Sequence, residues 1–177
     1  MKGGDELSKN GTDTLISNEE KRKLIEAIIR KYSDFIFRLA YQNLHNRFDA
    51  EDILQEVSVT LVTANAPLND EEHLKSWLVT VTLNKCRNLK RAKKRREYIP
   101  LDECLALEAP KANEIMEELW QLPEKYRNTV YLYYYESFKI SEIAEMLGKS
   151  PNTVSSWLRR ARKALGIIIE QEENGNG

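Results

Sequence analysis

The sequence predicts an all-α protein. Glycine is scarce, 7 of 177 residues, so few positions suit tight strand-to-strand turns. Apolar residues recur at three- and four-residue steps between the prolines, the period of one helix face. Two-residue alternation is nearly absent; its one candidate, Val79-Thr80-Val81-Thr82, sits inside a longer helical pattern.

The elements follow in order. Residues 1–17, rich in Gly, Asn, Thr and Ser, read as a disordered tail. Helical signal starts near Asn18 and runs past Leu44, with Leu24, Ile28, Tyr32, Phe35, Ile36 and Leu39 on one face. Asp49 suits an N-cap for a second helix, whose buried stripe is Ile53, Val57 and Leu61. Pro67, Asn69 and Asp70 mark a loop, and a third helix is expected from about Glu71 to Arg96. Residues 97–112 hold Pro100 and Pro110 among acids, a linker too long for most connections within one domain. Further helices are expected at Asn113–Leu122, Glu124–Glu136, Ile140–Leu147 and Pro151–Ile169, with a tail over 171–177. The chain thus reads as two small helical domains, 18–96 and 113–170, joined by the acidic linker.

Composition narrows the function. No apolar run approaches the roughly 20 residues that span a bilayer. Met1–Asn18 lacks the apolar stretch of a signal peptide, and two cysteines, Cys86 and Cys104, make no disulfide framework, so a reducing cytoplasm is expected. The net charge of −1 conceals segregation. Lys75–Arg96 carries nine bases and no acid, Glu97–Glu124 eight acids and one base, and Lys149–Lys163 five bases and no acid. Two cationic surfaces separated by a segment that repels phosphate suit a nucleic-acid binder.

The C-terminal stretch carries the strongest motif. Ala144, Gly148 and Val154 stand at the spacing of a helix-turn-helix: a small residue where two helices cross, a glycine for the turn, and a valine plugging the shared core. Ser150 can cap the second helix, and Pro151 fits its first position. At 100° per residue, Val154, Trp157, Leu158, Ala161 and Leu165 fall on one arc. Asn152, Ser155, Ser156, Arg159, Arg160, Arg162 and Lys163 fall on the other, and with Ser150 and Thr153 they form the candidate duplex-reading set. Arginine pairs with guanine edges, asparagine with adenine, and serine with bases or phosphate.

In the third helix, Arg87, Lys90, Arg91 and Lys94 share a face beyond Asn84, with Lys75 and Trp77 near its start. Cations beside an aromatic ring suit single-stranded or melted DNA, although core packing is the more ordinary use of Trp77. Asp49, Asp52, Gln55 and Glu56 line the second helix with no obvious cation opposite them in sequence. Such a face would repel DNA and suits a protein contact. No His or Cys accompanies these acids at ligand spacing, and His45, His73, Cys86 and Cys104 lie too scattered for a zinc site, so neither a metal nor a cofactor is expected.

Taken together, the chain resembles bacterial RNA polymerase sigma factors of the sigma-70 family, extracytoplasmic-function group. Asp49-Ala-Glu-Asp-Ile-Leu-Gln-Glu-Val resembles the polymerase-binding helix, and Trp77-Leu, Asn84 and the Arg/Lys series the helix that opens and reads the −10 element. Leu122-Pro-Glu-Lys-Tyr-Arg, Tyr131-Leu-Tyr-Tyr-Tyr-Glu and the helix-turn-helix resemble the −35-reading domain. The resemblance implies that the two domains are of the region 2 and region 4 types. It implies that Asp49, Asp52, Gln55 and Glu56 dock on the clamp helices of the largest polymerase subunit. It also implies that the loop Ala64–His73 captures a flipped −10 base. Core RNA polymerase, including the flap of its second subunit, promoter DNA and an anti-sigma factor are the implied partners. No catalytic residue is expected, because the polymerase supplies the chemistry. Asn88 stands where the family often has Asp, and the loop Asn65-Ala-Pro-Leu-Asn-Asp lacks its common Phe; both bear on which −10 base is read. Two other classes remain open from the residues alone. A stand-alone helix-turn-helix regulator would bind a palindrome without polymerase, and a nuclease would use Asp49, Asp52 and Glu56 with a divalent metal.

Overall fold

A computed structural model describes residues 18–64, 66–68, 70–96 and 119–166. The expected tails, the acidic linker 97–112 and most of the helix expected at Asn113–Leu122 lie outside the described residues. All regular elements among the described residues are helical: α1 (Asn18–Leu44), α2 (Arg47–Thr63), α3 (Glu71–Arg96), α4 (Glu124–Val130), a π-helical turn (Tyr131–Tyr135), α5 (Ile140–Leu147) and α6 (Pro151–Ala164).

The first unit is a three-helix body. Ile28, Tyr32, Phe35, Ile36 and Leu39 of α1 meet Ala50, Ile53, Val57 and Leu61 of α2 and Leu74, Leu78, Val79 and Leu83 of α3. Leu39, Ala50, Val57, Leu78 and Val79 are fully enclosed. Each contributes roughly 1.5–3 kcal/mol for a large side chain removed from water, before chain entropy is subtracted. α1 ends at Leu44 rather than running on, because His45 adopts φ 54° and breaks the helix. The cap of α2 is Asn46 and not Asp49: the Asn46 side chain accepts from the Asp49 backbone N–H at 3.0 Å. Starting two residues earlier leaves Asp49 in the first turn, where its charge favours the helix dipole. Asp70 begins α3, its Oδ1 accepting from the His73 N–H at 3.0 Å.

The second unit keeps a smaller core of Leu119, Leu122, Val130, Leu158 and Ala161. The helix expected over Glu124–Glu136 changes character midway. After Val130 the chain widens into a π turn, closed by Glu136 N–H to Tyr131 O at 3.2 Å, and Phe138 N–H returns to Leu132 O at 3.0 Å. α6 closes at Ala164, short of the expected Ile169, with Gly166 at φ 65°; 167–169 lie outside the described residues.

The two units are not separate bodies on a tether. Tyr131, Leu132, Phe138, Ile143, Ala144 and Val154 belong to the same apolar cluster as the three-helix body. Sequence separation of acidic linker from basic helix gave no hint of this, because the seam is built from residues more than 80 positions apart.

Candidate nucleic-acid and polymerase interfaces

Three surfaces carry the candidate residues. The first is the helix-turn-helix, α5 to α6. Ala144 and Val154 are buried at the crossing, as the spacing requires. Gly148 takes φ 61°, ψ 44°, and its N–H and that of Lys149 satisfy the end of α5 through Glu145 O (3.0 Å) and Ala144 O (2.8 Å). Ser150 Oγ accepts from the Thr153 N–H at 3.2 Å and lies 2.9 Å from the Thr153 hydroxyl. Both hydroxyls are therefore engaged in starting α6. Beneath it, Val154, Leu158 and Ala161 are buried. Asn152, Ser155, Arg159, Arg160 and Lys163 are exposed, while Ser156 and Arg162 are half-buried. The Arg162 guanidinium donates to the Tyr134 hydroxyl at 3.3 Å, and Arg160 beside Tyr126 holds that phenol below its usual range. Pro151 fills the first position at no cost in hydrogen bonding. The result is a cationic helix face seated on a rigid support, the shape that enters a major groove.

The second surface is α3. Arg87, Arg91, Lys94 and Arg95 are exposed, and Asn88, Arg91, Lys94 and Arg95 border one concavity. Asn84 accepts from Arg87 at 2.8 Å, which preorganises that guanidinium. Trp77 is half-buried against the core, the ordinary use of such a residue. Lys75 and Lys90 are not open to solvent in the same way. Lys75 Nζ lies 3.1 Å from Glu136 Oε2 and 4.8 Å from the centre of the Phe138 ring. Lys90 Nζ donates to Glu124 Oε2 at 2.6 Å. Both carboxylates come from the second unit.

The third surface is α2. Contrary to the sequence-based expectation, two of its acids do face cations: Asp49 meets Lys93 at 2.5 Å and Glu56 meets Lys85 at 3.1 Å, both from α3. Asp52 and Gln55 are exposed, and Asp52 forms no ion pair among the described residues. Sequence reasoning missed the apolar members of this face. Phe48, Val59 and Val62 are 55%, 61% and 53% exposed, in line with Asp52 and Gln55 at four- and three-residue steps. The signal was present: α2 carries two apolar lines, and a three-helix body buries only the one containing Ile53, Val57 and Leu61.

Catalytic or metal chemistry gains no support. Among the described residues no group of three or more His, Cys, Asp or Glu converges on a common point. Cys86 is enclosed, and burial pushes its thiol up to about 12, so it is an inert core residue. No described helix is long and apolar enough to cross a membrane.

Comparison with known proteins accords with these surfaces. The Sigma-70 region 2 family matches residues 28–96, and the Sigma-70, region 4 family matches residues 112–165. RNA polymerase sigma factor SigV of Bacillus subtilis is 29% identical over 159 residues, covering 86% of this chain and 95% of the relative. ECF RNA polymerase sigma factor SigW of the same organism is 28% identical, covering 78% and 84%. Among solved structures, the sigma factor RpoE from Bartonella quintana, crystallised with the anti-sigma factor NepR, superposes with a TM-score of 0.67 at 18% identity, covering 85% of this chain and 99% of that one. CnrH, solved with the cytosolic domain of CnrY, gives 0.60 at 18% identity, covering 85% and 90%. The two family matches, in order, cover more than half of the chain, and it belongs to the sigma-70 family as an ECF-type RNA polymerase sigma factor, a transcription initiation factor and not an enzyme.

Proposed function

We propose that this sigma factor reads a two-part promoter with the surfaces just described. α6 reads the −35 element through Asn152, Ser155, Ser156, Arg159, Arg160, Arg162 and Lys163, with Ser150 and Thr153 fixing its start. α3 holds and reads the opened −10 element through Asn84, Arg87, Arg91 and Lys94, with Lys75, Trp77 and Lys90 at its margins. The α2 line Phe48, Asp52, Gln55, Glu56, Val59 and Val62, with Asp49 at its start, docks on a helical element of the polymerase largest subunit. The domain limits follow: 18–96 for docking and the −10 element, 113–170 for the −35 element, and 97–112 as the acidic linker between them. The flap of the second polymerase subunit and an anti-sigma factor complete the partners, and the cytoplasm is the site of action.

The observation that carries this reading is the division of labour on the surface. One helix, α2, offers apolar and acidic groups that suit protein and repel DNA, while α3 and α6 offer cations to phosphate and base edges. Strand opening needs no catalytic group; trapping unstacked bases on α3 offsets a few kcal/mol per base step.

Replacing Arg159 and Arg162 with Ala tests the −35 assignment. Removing each base-reading guanidinium should cost about 1–3 kcal/mol, so holoenzyme affinity for a −35 duplex falls and its salt dependence flattens. Unchanged affinity across a salt titration contradicts the assignment.

A further inference from the structure

The seam between the units is an unusual join. Asn43 at the end of α1 and Asn128 on α4 exchange hydrogen bonds, Asn43 Nδ2 donating to Asn128 Oδ1 at 2.9 Å and Asn128 Nδ2 donating to Asn43 Oδ1 at 3.0 Å. Gln42 Nε2 adds a third bond to Asn128 Oδ1 at 3.2 Å. Trp120 packs on Tyr41 and His45, with ring centres 5.7 and 5.3 Å away. Yet Gln42 Oε1, Trp120 Nε1 and Arg127 Nε are buried without a hydrogen-bond partner among the described residues. Such atoms are satisfied by water when a seam parts, so a join that strands three of them is held less firmly than a core.

The same closure brings two acids onto the basic helix. Glu124 stands on Lys90 and Glu136 on Lys75, whose ammonium is also enclosed by the Phe35 and Phe138 rings. Meanwhile the α6 face and the exposed α2 line stay open. Closure therefore occupies one of the three functional surfaces and spares the other two.

We propose that the second unit is an internal substitute for DNA on α3: Glu124 and Glu136 sit on Lys90 and Lys75 where phosphates of the opened strand would lie, and the surface is released when the amide seam parts. This rests on the reading of α3 as the −10 surface. It makes the free protein a weak binder of single strands, and it makes separation of the units a step that precedes −10 contact. Because α2 remains exposed, polymerase can engage the closed form and then draw the units apart.

The test uses the full chain in three forms: wild type, the double variant Glu124→Gln/Glu136→Gln, and Asn128→Ala. Small-angle scattering reads separation of the units, and fluorescence anisotropy with a short labelled single-stranded DNA reads access to α3. Circular dichroism verifies the helical fold; the conservative Gln variants retain shape at both sites should Asn128→Ala fail to fold. The proposal expects a larger radius of gyration than wild type and a roughly three- to tenfold gain in single-strand affinity, the scale of two half-exposed ion pairs. Separation without a gain in affinity overturns it, as does a wild type that is already extended. A fourth variant, Arg91→Glu/Lys94→Glu, isolates the underlying reading: unchanged single-strand affinity there overturns α3 as the DNA surface, and the masking with it, while scattering reports closure independently.

Discussion

Gly148 shows how one residue sets the −35 reader. Its φ of 61° lies in the left-handed region, and a methyl group added there would meet nothing within 4 Å. Space is therefore not the constraint; backbone strain is. Gly148→Ala should destabilise the second unit by about 1–2 kcal/mol, the cost of placing an L side chain in that conformation. Gly148→Asn should lose less, because Asn tolerates the region. Thermal unfolding of the two variants compares them directly, and equal midpoints for Ala and Gly would contradict the strain argument. Such positions were legible in the sequence, since Ala144, Gly148, Ser150 and Val154 form a local pattern whose meaning is fixed by helix geometry. Asn46 was not, because Asn46 and Asp49 are both good caps and only the turn at His45 decides between them.

Among the elements, α2 is the one whose surface differs most from its sequence appearance. Its acids suggested a bare carboxylate face. The structure pairs Asp49 and Glu56 with lysines of α3 and sets Phe48, Val59 and Val62 beside the remaining polar groups. Exposed pairs of this kind contribute about 0–1 kcal/mol, so the fold does not depend on them. Asp52→Lys/Glu56→Lys should abolish co-purification with core polymerase while the unfolding midpoint changes little. Retained co-purification would remove the docking assignment. α3 and α6 were legible because their apolar arcs and charges repeat at helical steps. The π turn after Val130 was not, since Tyr131–Tyr135 shows no breaker and a run of aromatics fits a helix equally well.

At the scale of the whole molecule, the sequence revealed two helical units and hid their closure. Charge segregation along a chain does not report which distant residues meet. Asn43 and Asn128 are 85 positions apart, and neither stands out in its own helix. Closure also carries a pH dependence. Desolvation first, then the charge of Arg127 and of Lys90, holds the His45 imidazole below its ordinary value of 6.5. The closed form thus favours the neutral ring. Its contribution is complete above pH 6.5 and is lost as pH falls through the lower folded-state value. Scattering between pH 7.5 and 5 should show the units separating toward acid. His45→Asn, which tolerates φ 54°, should blunt that change. An unchanged radius of gyration in the wild type across that range would contradict the effect.

The central claim is that this chain confers promoter choice on a polymerase lacking its own sigma subunit. Run-off transcription with sigma-free core enzyme over a randomised promoter library measures it most directly. The account predicts new, discrete start sites whose selected templates share two conserved elements at fixed spacing, lost when Arg159 and Arg162 become Ala. Transcription no different from core enzyme alone would contradict it.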